Sequence, residues 1–525
     1  MINLKIDDIE LSLPEGTSVL EAARSAGITI PSMCYLKGQG NHPSCMVCMV
    51  KDRKTGSLFP SCALNIAEGM DIVSNDEGVI QSRKEALELL MSDHVGDCEA
   101  PCSLACPANM DIPVMNRLLA EGKFREALGV VRETIAIPYI LGYICSAPCE
   151  KACRRKQIDN PVSICLLKRA SAAEGELLDL TAISQDKNFP DKKVAIVGTG
   201  PAGLAAAFYL LKEGISCTLY DKNEQAGGAL RYSIPENELP RYVLDAEINL
   251  LVSMGAIFKL NAMVTEEFYT KEIQGHFKAV ILASGDVPAQ VFFLSSVNIG
   301  KTGVTVGEGG MMTSVPGIFA CGSVLRPQKM AVRAAAQGRE AARSSILYLQ
   351  GILAEKTERK FNSRFEKLFE EEFQVYLRES VEDNRYEPAD PVSGFNREEI
   401  LKEASRCMHC DCRKIDSCKL REHSNEYKVD RRKYLIGQRN SMLKFDQHEY
   451  VIYEPEKCIR CGLCIDITKK ENETIGLAFF GRGFDVRMNV PFRESMKEGL
   501  THSAQKCVEY CPTGSLAFKK DLHRG

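Results

Sequence analysis

The chain has no run of eighteen apolar residues, so no stretch of it suits a membrane-spanning helix. Charge of neither sign dominates. Its 66 lysines and arginines against 70 aspartates and glutamates leave a net charge of −4, which excludes the basic footprint of a nucleic-acid-binding protein. Met1–Lys5 lacks the charged start and apolar continuation of a signal peptide and reads as the opening of a strand. Low-complexity tracts and solenoid repeats are missing too. Ordinary globular domains are therefore expected, three or more of them in 525 residues. Cysteine is what the chain has in abundance: 22 of them, gathered in short motifs. In a chain this long, that pattern argues for metal ligation in a reducing cytoplasm over disulfides.

Nineteen of those cysteines and one histidine sort into five sets of four. The first is Cys34-x10-Cys45-x2-Cys48-x13-Cys62. Thiolates are soft ligands suited to iron–sulfur clusters. Cys45 and Cys48 can share one iron across a tight loop, leaving Cys34 and Cys62 for the other. The spacing is not that of plant-type ferredoxins. With Ile30-Pro31-x-x-Cys34, Cys62-Ala63 and Gly69-Met70 around it, the segment resembles the [2Fe-2S] domain that opens the large iron–sulfur subunit of complex I and the iron-only hydrogenases. A β-grasp ferredoxin fold is implied. Alternation from Ile2 to Leu13 around Asp7-Asp8 reads as a strand pair, and Ser18 with Glu21 forms a capping box opening a helix over Val19–Ser25.

The last set is Cys458-x2-Cys461-x2-Cys464 with Cys511-Pro512. In two-cluster ferredoxins the fourth cysteine of each run ligates the other cluster. Here the second cluster would be left with Thr468, Thr501, Ala504 and Cys507, so one [4Fe-4S] cluster is expected and Cys507 is a spare buried thiol. Between lies Cys407-x2-Cys410-x-Cys412-x5-Cys418, compact enough to wrap a further [4Fe-4S] cube, with tetrahedral zinc as the alternative.

The two remaining sets interleave in Cys98-x3-Cys102-x3-Cys106-Pro107, Cys145-x3-Cys149-x3-Cys153 and Cys165. With Asp111-Ile112-Pro113 and Pro161-Val162-Ser163-Ile164, the stretch resembles the helical double-cluster domain of the glutamate synthase small subunit. Dihydropyrimidine dehydrogenase and the flavoprotein of electron-bifurcating transhydrogenase are relatives of that subunit. The resemblance implies one [4Fe-4S] cube on Cys106, Cys145 and Cys149 with Cys165 as fourth ligand, and another on Cys102 and Cys153. For the latter, Cys98 is the expected third ligand and His94 the fourth. His94-x3-Cys98 resembles the start of the histidine-ligated cluster motif of the complex I subunit. The x3 spacing downstream departs from that motif's x2 then x5, which keeps an ordinary surface histidine in play. An imidazole ligand removes negative charge and raises a cluster's potential.

Val194–Val197 reads as a buried parallel strand, and Gly198-x-Gly200-Pro201-Ala202-Gly203 turns it into a helix over Leu204–Glu213. In such a fingerprint the glycines permit the turn, the approach of pyrophosphate and the helix–strand contact, and the helix terminus favours phosphate. Asp221 closes the next strand and is placed to bind ribose. The loop Gly227-Gly228-x-Leu230-Arg231 and the later Gly285 and Gly322-Ser323 resemble FAD motifs of glutamate-synthase-type flavoproteins. Ser323 stands where those relatives carry aspartate, which removes one carboxylate contact. The relatives also insert a second glycine-rich βαβ domain for NAD(P)H. Here Asp286–Lys301 bridges that interval, too short for a βαβ unit. Gly307-x-Gly309-Gly310 reads as a turn.

The expected architecture is multidomain α/β plus α+β. It comprises a β-grasp [2Fe-2S] domain (1–77), a helical domain with two [4Fe-4S] clusters (78–190) and a Rossmann-like FAD domain (191–353). A charged helical linker (354–405), with Glu370-Glu371-Glu372 on a solvated face, leads to a [4Fe-4S] motif plus a single-cluster ferredoxin-like domain (406–525). Together the resemblances imply a cytoplasmic electron-transfer oxidoreductase subunit carrying FAD, one [2Fe-2S] and four [4Fe-4S] clusters. It would work in a hetero-oligomer with an NADH-oxidising FMN/iron–sulfur subunit and with ferredoxin or another redox subunit. Electron bifurcation is an elaboration of that expectation. The alternatives are a self-contained NAD(P)H oxidoreductase like the glutamate synthase small subunit, an electron-input subunit of a formate dehydrogenase or hydrogenase, and a ferredoxin fusion with a degenerate flavin site. No acid–base triad is expected.

Overall fold

A computed structural model describes residues 1–38, 42–175, 192–286, 294–355, 358–364, 367–435 and 437–519. The chain folds into two compact units, both discontinuous in sequence. The first comprises 1–99, 359–378 and 410–525, and the second 100–358 and 379–409. The expected linear series of five domains is thus folded into two bodies. The middle of the chain interrupts the first, and part of the bridge Asp286–Lys301 lies outside the described residues.

Unit 1 opens with a five-stranded sheet in the order Ile9–Leu13, Ile2–Ile6, Asp71–Val73, Met49–Asp52, Leu58–Pro60. The first two strands pair antiparallel from Ile2↔Leu13 to Ile6↔Ile9. Asp7 and Asp8 take φ of 45° and 69° between them, the two positive φ values of a tight hairpin turn. The helix Val19–Ser25 starts where the capping box predicts, with the Glu21 N–H donating to Ser18 Oγ at 3.3 Å. Its Val19, Leu20, Ala22 and Ala23 face Leu4, Ile6, Val50 and Ile72 in a core closed by Cys48 and Cys62. A long helix, Glu77–Asp93, follows and is tied back by buried Arg83, which donates to the carbonyls of Met49 and Ser74.

The end of the chain forms the other half of unit 1. Strands Val451–Tyr453 and Leu516–Phe518 pair antiparallel, and the helices Leu463–Lys470 and Ala504–Tyr510 share their core. The acidic run expected to be solvated is not wholly so. Glu370–Leu377 is a short helix in which Glu372 is buried. Its carboxylate accepts from both Nη atoms of Arg439 and from the N–H groups of Phe369 and Met442.

Unit 2 joins a helical layer to a parallel sheet. The layer includes the helices Ile112–Ala120, Phe124–Arg132, Pro138–Ile144 and Ile164–Glu174, to which Arg397–Ala404 is added from the far side of the sequence. The sheet order is Ile318–Ala320, Ala279–Leu282, Lys193–Val197, Ser216–Tyr220, Ile257–Lys259, every pairing parallel. Continuous apolar runs such as Val194–Val197 suit a sheet buried on both faces. The helix Pro201–Lys212 follows the first strand and packs against Ala331–Leu349. The Gly307 N–H donates to Met312 O at 2.9 Å, closing the expected turn.

Candidate functional site

The thiols gather in nests. Among the described residues, no three His, Cys, Asp or Glu side chains converge on a point as the ligands of a single metal ion do. Clusters, whose several metal atoms hold their ligands further apart, are the groups to test against them.

In the first nest Cys34, Cys45, Cys48 and Cys62 are all buried. Cys34 Sγ lies 3.3 Å from Cys45 Sγ, and Cys62 hydrogen-bonds with both Cys34 and Cys48. The close contact is Cys34 with Cys45, where the x2 spacing suggested Cys45 with Cys48. The loop between those two carries Met46 at φ 54°. Hydrogen bonds from Cys45 and then Cys62 favour the Cys34 thiolate against the cost of burial.

In the second nest Cys458, Cys461, Cys464 and Cys511 line one hollow, walled by Leu463, Phe479, Met488 and Leu516. Four thiols around one apolar hollow fit a cube. Thr468 and Thr501, where a second cluster would need thiolates, are engaged in hydrogen bonds. Thr468 Oγ1 donates to Ile465 O and accepts from the Leu477 N–H. Glu473 accepts from Thr501 Oγ1, the His502 and Ser503 N–H groups and Ser503 Oγ. Cys507 is buried in the apolar core with its thiol toward Cys464 O at 3.7 Å.

The third nest gathers around Cys98. Cys98 belongs to unit 1, whereas Cys102 and Cys153 belong to unit 2. The thiols nearest Cys98 in charge are those of Cys412 and Cys418, and the Cys412 N–H donates to Cys98 O at 3.1 Å. Burial pushes the Cys98 thiol up to about 11 and the Cys418 thiol up to about 12, with Cys412 adding to both. His94 lies one short loop before. Its Nδ1 is buried with no hydrogen-bond partner, and burial, with Lys457 and Arg431 nearby, pushes the imidazole down to about 3. A neutral ring with an orphaned nitrogen is what a metal-ligating histidine needs. Beside this nest Lys457 is buried and ion-paired with Glu454 at 2.5 Å. Cys412 and Cys418 stand with Cys98, Cys410 falls in unit 1 and Cys407 in unit 2.

The fourth nest, in unit 2, is the one the resemblance implies. Cys165 Sγ hydrogen-bonds to Cys145, lowering the Cys145 thiol to about 5. Cys149 is buried beside Cys106 and Cys145. Lys168 is buried against all four. Its Nζ donates to Leu141 O at 3.0 Å and lies 3.8 Å from Cys165 Sγ. Burial pushes the Lys168 ammonium pKa down, and the neighbouring thiols, Cys165 first, push it up by more. Cys102, Cys153 and Cys407 are the other predicted thiol ligands of unit 2. Cys102 rides on the helix Pro101–Ala105, which packs against Pro148–Lys151, just before Cys153.

The glycine-rich loop of unit 2 fits a dinucleotide. A Cβ on Gly203 would stand 2.0 Å from Gly198 O, so only glycine lets the helix Pro201–Lys212 meet the strand there. Gly228, at φ +51°, would drive a Cβ to 2.9 Å from Gly200 Cα, whereas a Cβ on Gly200 itself would meet nothing within 4 Å. Open space over Gly200 is the room a pyrophosphate requires. Asp221 braces this loop: Oδ2 accepts from the Thr199 N–H at 2.9 Å and from Thr199 Oγ1 at 2.6 Å, and Oδ1 accepts from Asn223. Arg231 is engaged by Ala226 O and Asp245. The Gly322 N–H donates to Gln337 Oε1, Ser323 begins the next turn, and Gly285 takes φ +84° after its strand. Thr199 and Gln337 are contributors the sequence motifs did not single out.

Residues 1–77 match the 2Fe-2S iron–sulfur cluster binding domain family, and 81–176 match domain II of dihydropyrimidine dehydrogenase, a 4Fe-4S cluster domain. Residues 196–266 match the NAD(P)-binding Rossmann-like domain family. The chain is similar to the NADPH-Fe(3+) oxidoreductase subunit beta of Geobacter sulfurreducens, 38% identical over 188 residues, covering 35% of this chain and 28% of that protein. It is 32% identical over 282 residues to the NADP(+)-dependent formate dehydrogenase subunit beta of Moorella thermoacetica, covering 48% and 37%. To the NADPH glutamate synthase small chain of Bacillus subtilis it is 36% identical over 180 residues, covering 34% and 36%. The chain thus spans well under half of each of these relatives. No helix among the described residues is long and apolar enough to cross a membrane.

Proposed function

We propose that this chain is an iron–sulfur flavoprotein subunit that relays electrons within a larger NADH-linked oxidoreductase complex. When bound, the clusters would carry electrons singly and the flavin would exchange pairs for single electrons. The residues of the chain hold these groups and set their surroundings. Cys34, Cys45, Cys48 and Cys62 would hold the [2Fe-2S] cluster. Cys458, Cys461, Cys464 and Cys511 would hold one cube, and Cys106, Cys145, Cys149 and Cys165 another. His94, Cys98, Cys412 and Cys418 would hold a third, and Cys102, Cys153 and Cys407 would contribute to a fourth. The glycine-rich loop would take FAD.

One observation carries this reading. In unit 1 Cys34, Cys45 and Cys418 share one buried cluster against which Cys461 packs, and Cys418 is within electrostatic reach of Cys98 and Cys511, so three thiol nests neighbour one another. A storage or scaffold role would not call for such a series. The partners of the reading are an NADH-oxidising flavin subunit at the N-terminal domain and ferredoxin or another redox subunit elsewhere, with a cytoplasmic hetero-oligomer as the setting. Bifurcation is the finer form of the same proposal.

A nicotinamide bound directly in the glycine-rich loop is the second reading, favoured by the match of 196–266 to NAD(P)-binding domains. Anaerobic purification of the whole chain separates the two. We expect about eighteen irons, from one two-iron and four four-iron clusters, one releasable FAD and no prompt bleaching with NADH or NADPH alone. Rapid bleaching of the isolated chain, or a released nicotinamide in place of FAD, would defeat the relay reading.

A further inference from the structure

Lys168 has no place in the relay as described so far. It sits in the helix Ile164–Glu174, is 4% exposed, and makes no ion pair with any carboxylate among the described residues. Its two polar contacts are Leu141 O and Cys165 Sγ. An ammonium taken out of water costs several kcal/mol unless an opposite charge stands beside it. A carbonyl oxygen does not supply that charge, and Glu150, the acid at the Cys165 N–H, is already paired with Arg385, so the thiols of the nest must. Lys457 shows the ordinary solution by contrast, buried beside thiols but paired with Glu454.

We propose that Lys168 is the counter-charge of the cube held by Cys106, Cys145, Cys149 and Cys165, and that it sets that cube's reduction potential high relative to the same ligands without it. The proposal rests on the assignment of a cube to those four thiols. Reduction adds one negative charge to the nest, and a fixed ammonium against the Cys165 sulfur stabilises that added charge more than the oxidised form. Low dielectric around a buried site magnifies the effect. Lys168 is thus a positioning residue for charge: it ligates nothing.

The test uses the full chain, purified anaerobically, with potentiometric titrations followed by electron paramagnetic resonance. Cys106→Ser comes first, to identify the signal that belongs to this nest. If no signal and no iron is lost, the cube assignment itself fails, separately from the lysine. Lys168→Met keeps the length and removes the charge. We expect the same signal to move to lower potential by at least tenfold in its reduction equilibrium, which is about 59 mV for one electron, with other signals unmoved. Lys168→Arg should keep the midpoint near that of the unmodified chain. A cube lost from Lys168→Met but retained in Lys168→Arg also supports the counter-charge. An unmoved midpoint in Lys168→Met, an equal shift in both variants, or a cube lost from both would overturn it.

Discussion

Lys457 and Lys168 are both lysines sunk among thiols, yet only one has a carboxylate beside it. Lys457, in unit 1, is paired with Glu454, and its nest also includes His94, an uncharged candidate ligand. Lys168, in unit 2, faces four cysteines and touches no carboxylate; the acid beside its nest, Glu150, accepts from the Cys165 N–H and is paired with Arg385. The first nest therefore balances its buried lysine from within the protein. The second leaves one positive charge to be balanced by whatever the thiols hold. The nests also differ in how the chain builds them. Unit 2 draws its four thiols from neighbouring helical breaks, whereas unit 1 brings Cys98 to Cys412 and Cys418 across the whole of the intervening unit.

The largest expected effect breaks the unit 1 nest. Cys412→Ser should cost about four irons per chain and abolish the same signal that Cys98→Ser abolishes. Cys102→Ser should abolish a different one. Iron analysis with electron paramagnetic resonance checks this. If Cys98 and Cys102 variants lose one common signal that Cys412→Ser leaves intact, the grouping seen in unit 1 is wrong.

That nest shows where reading the chain in order stops working. Hairpin, capping box and βαβ unit are legible because each is set by residues close in sequence, through turn dihedrals, an N-cap hydrogen bond or a glycine-rich turn. The approach of Cys98 to Cys412 and Cys418 is not, because a whole unit separates them in sequence. The x5 interval missing after Cys98 is present between Cys412 and Cys418, and only the fold places them together. Glu372 was misjudged for the same reason, since Arg439, its partner, lies in a distant loop.

The next effect sharpens the contrast between the lysines. Lys457→Met strands Glu454 in a buried site, and breaking a buried pair costs about 3–5 kcal/mol. We expect a clear fall in thermal stability of unit 1, mostly recovered in the Lys457→Met, Glu454→Gln double variant, where neither charge remains. Lys168→Met strands no carboxylate and should leave stability far less changed. Equal losses for the two single variants, read by calorimetry, would erase the difference between the nests.

The smallest effect concerns a second imbalance in unit 2. Glu247 is buried, accepts from the Tyr139 N–H at 2.7 Å through Oε1, and leaves Oε2 without a partner. Burial raises its carboxyl from 4.5 to about 7, against the pull of the Tyr139 N–H and Arg132. The folded chain therefore keeps a proton that the unfolded chain releases from pH 4.5 upward. The group's contribution is complete below 4.5 and is lost as pH rises through 7, up to about 3 kcal/mol across that window. Glu247→Gln keeps an acceptor for Tyr139 and cannot ionise. Thermal midpoints measured on the full chain between those two pH values should fall more steeply for the unmodified protein than for the variant. Parallel curves would mean that the carboxylate is stabilised in place, by Arg132 or by water, and that unit 2 balances this charge as unit 1 balances Lys457.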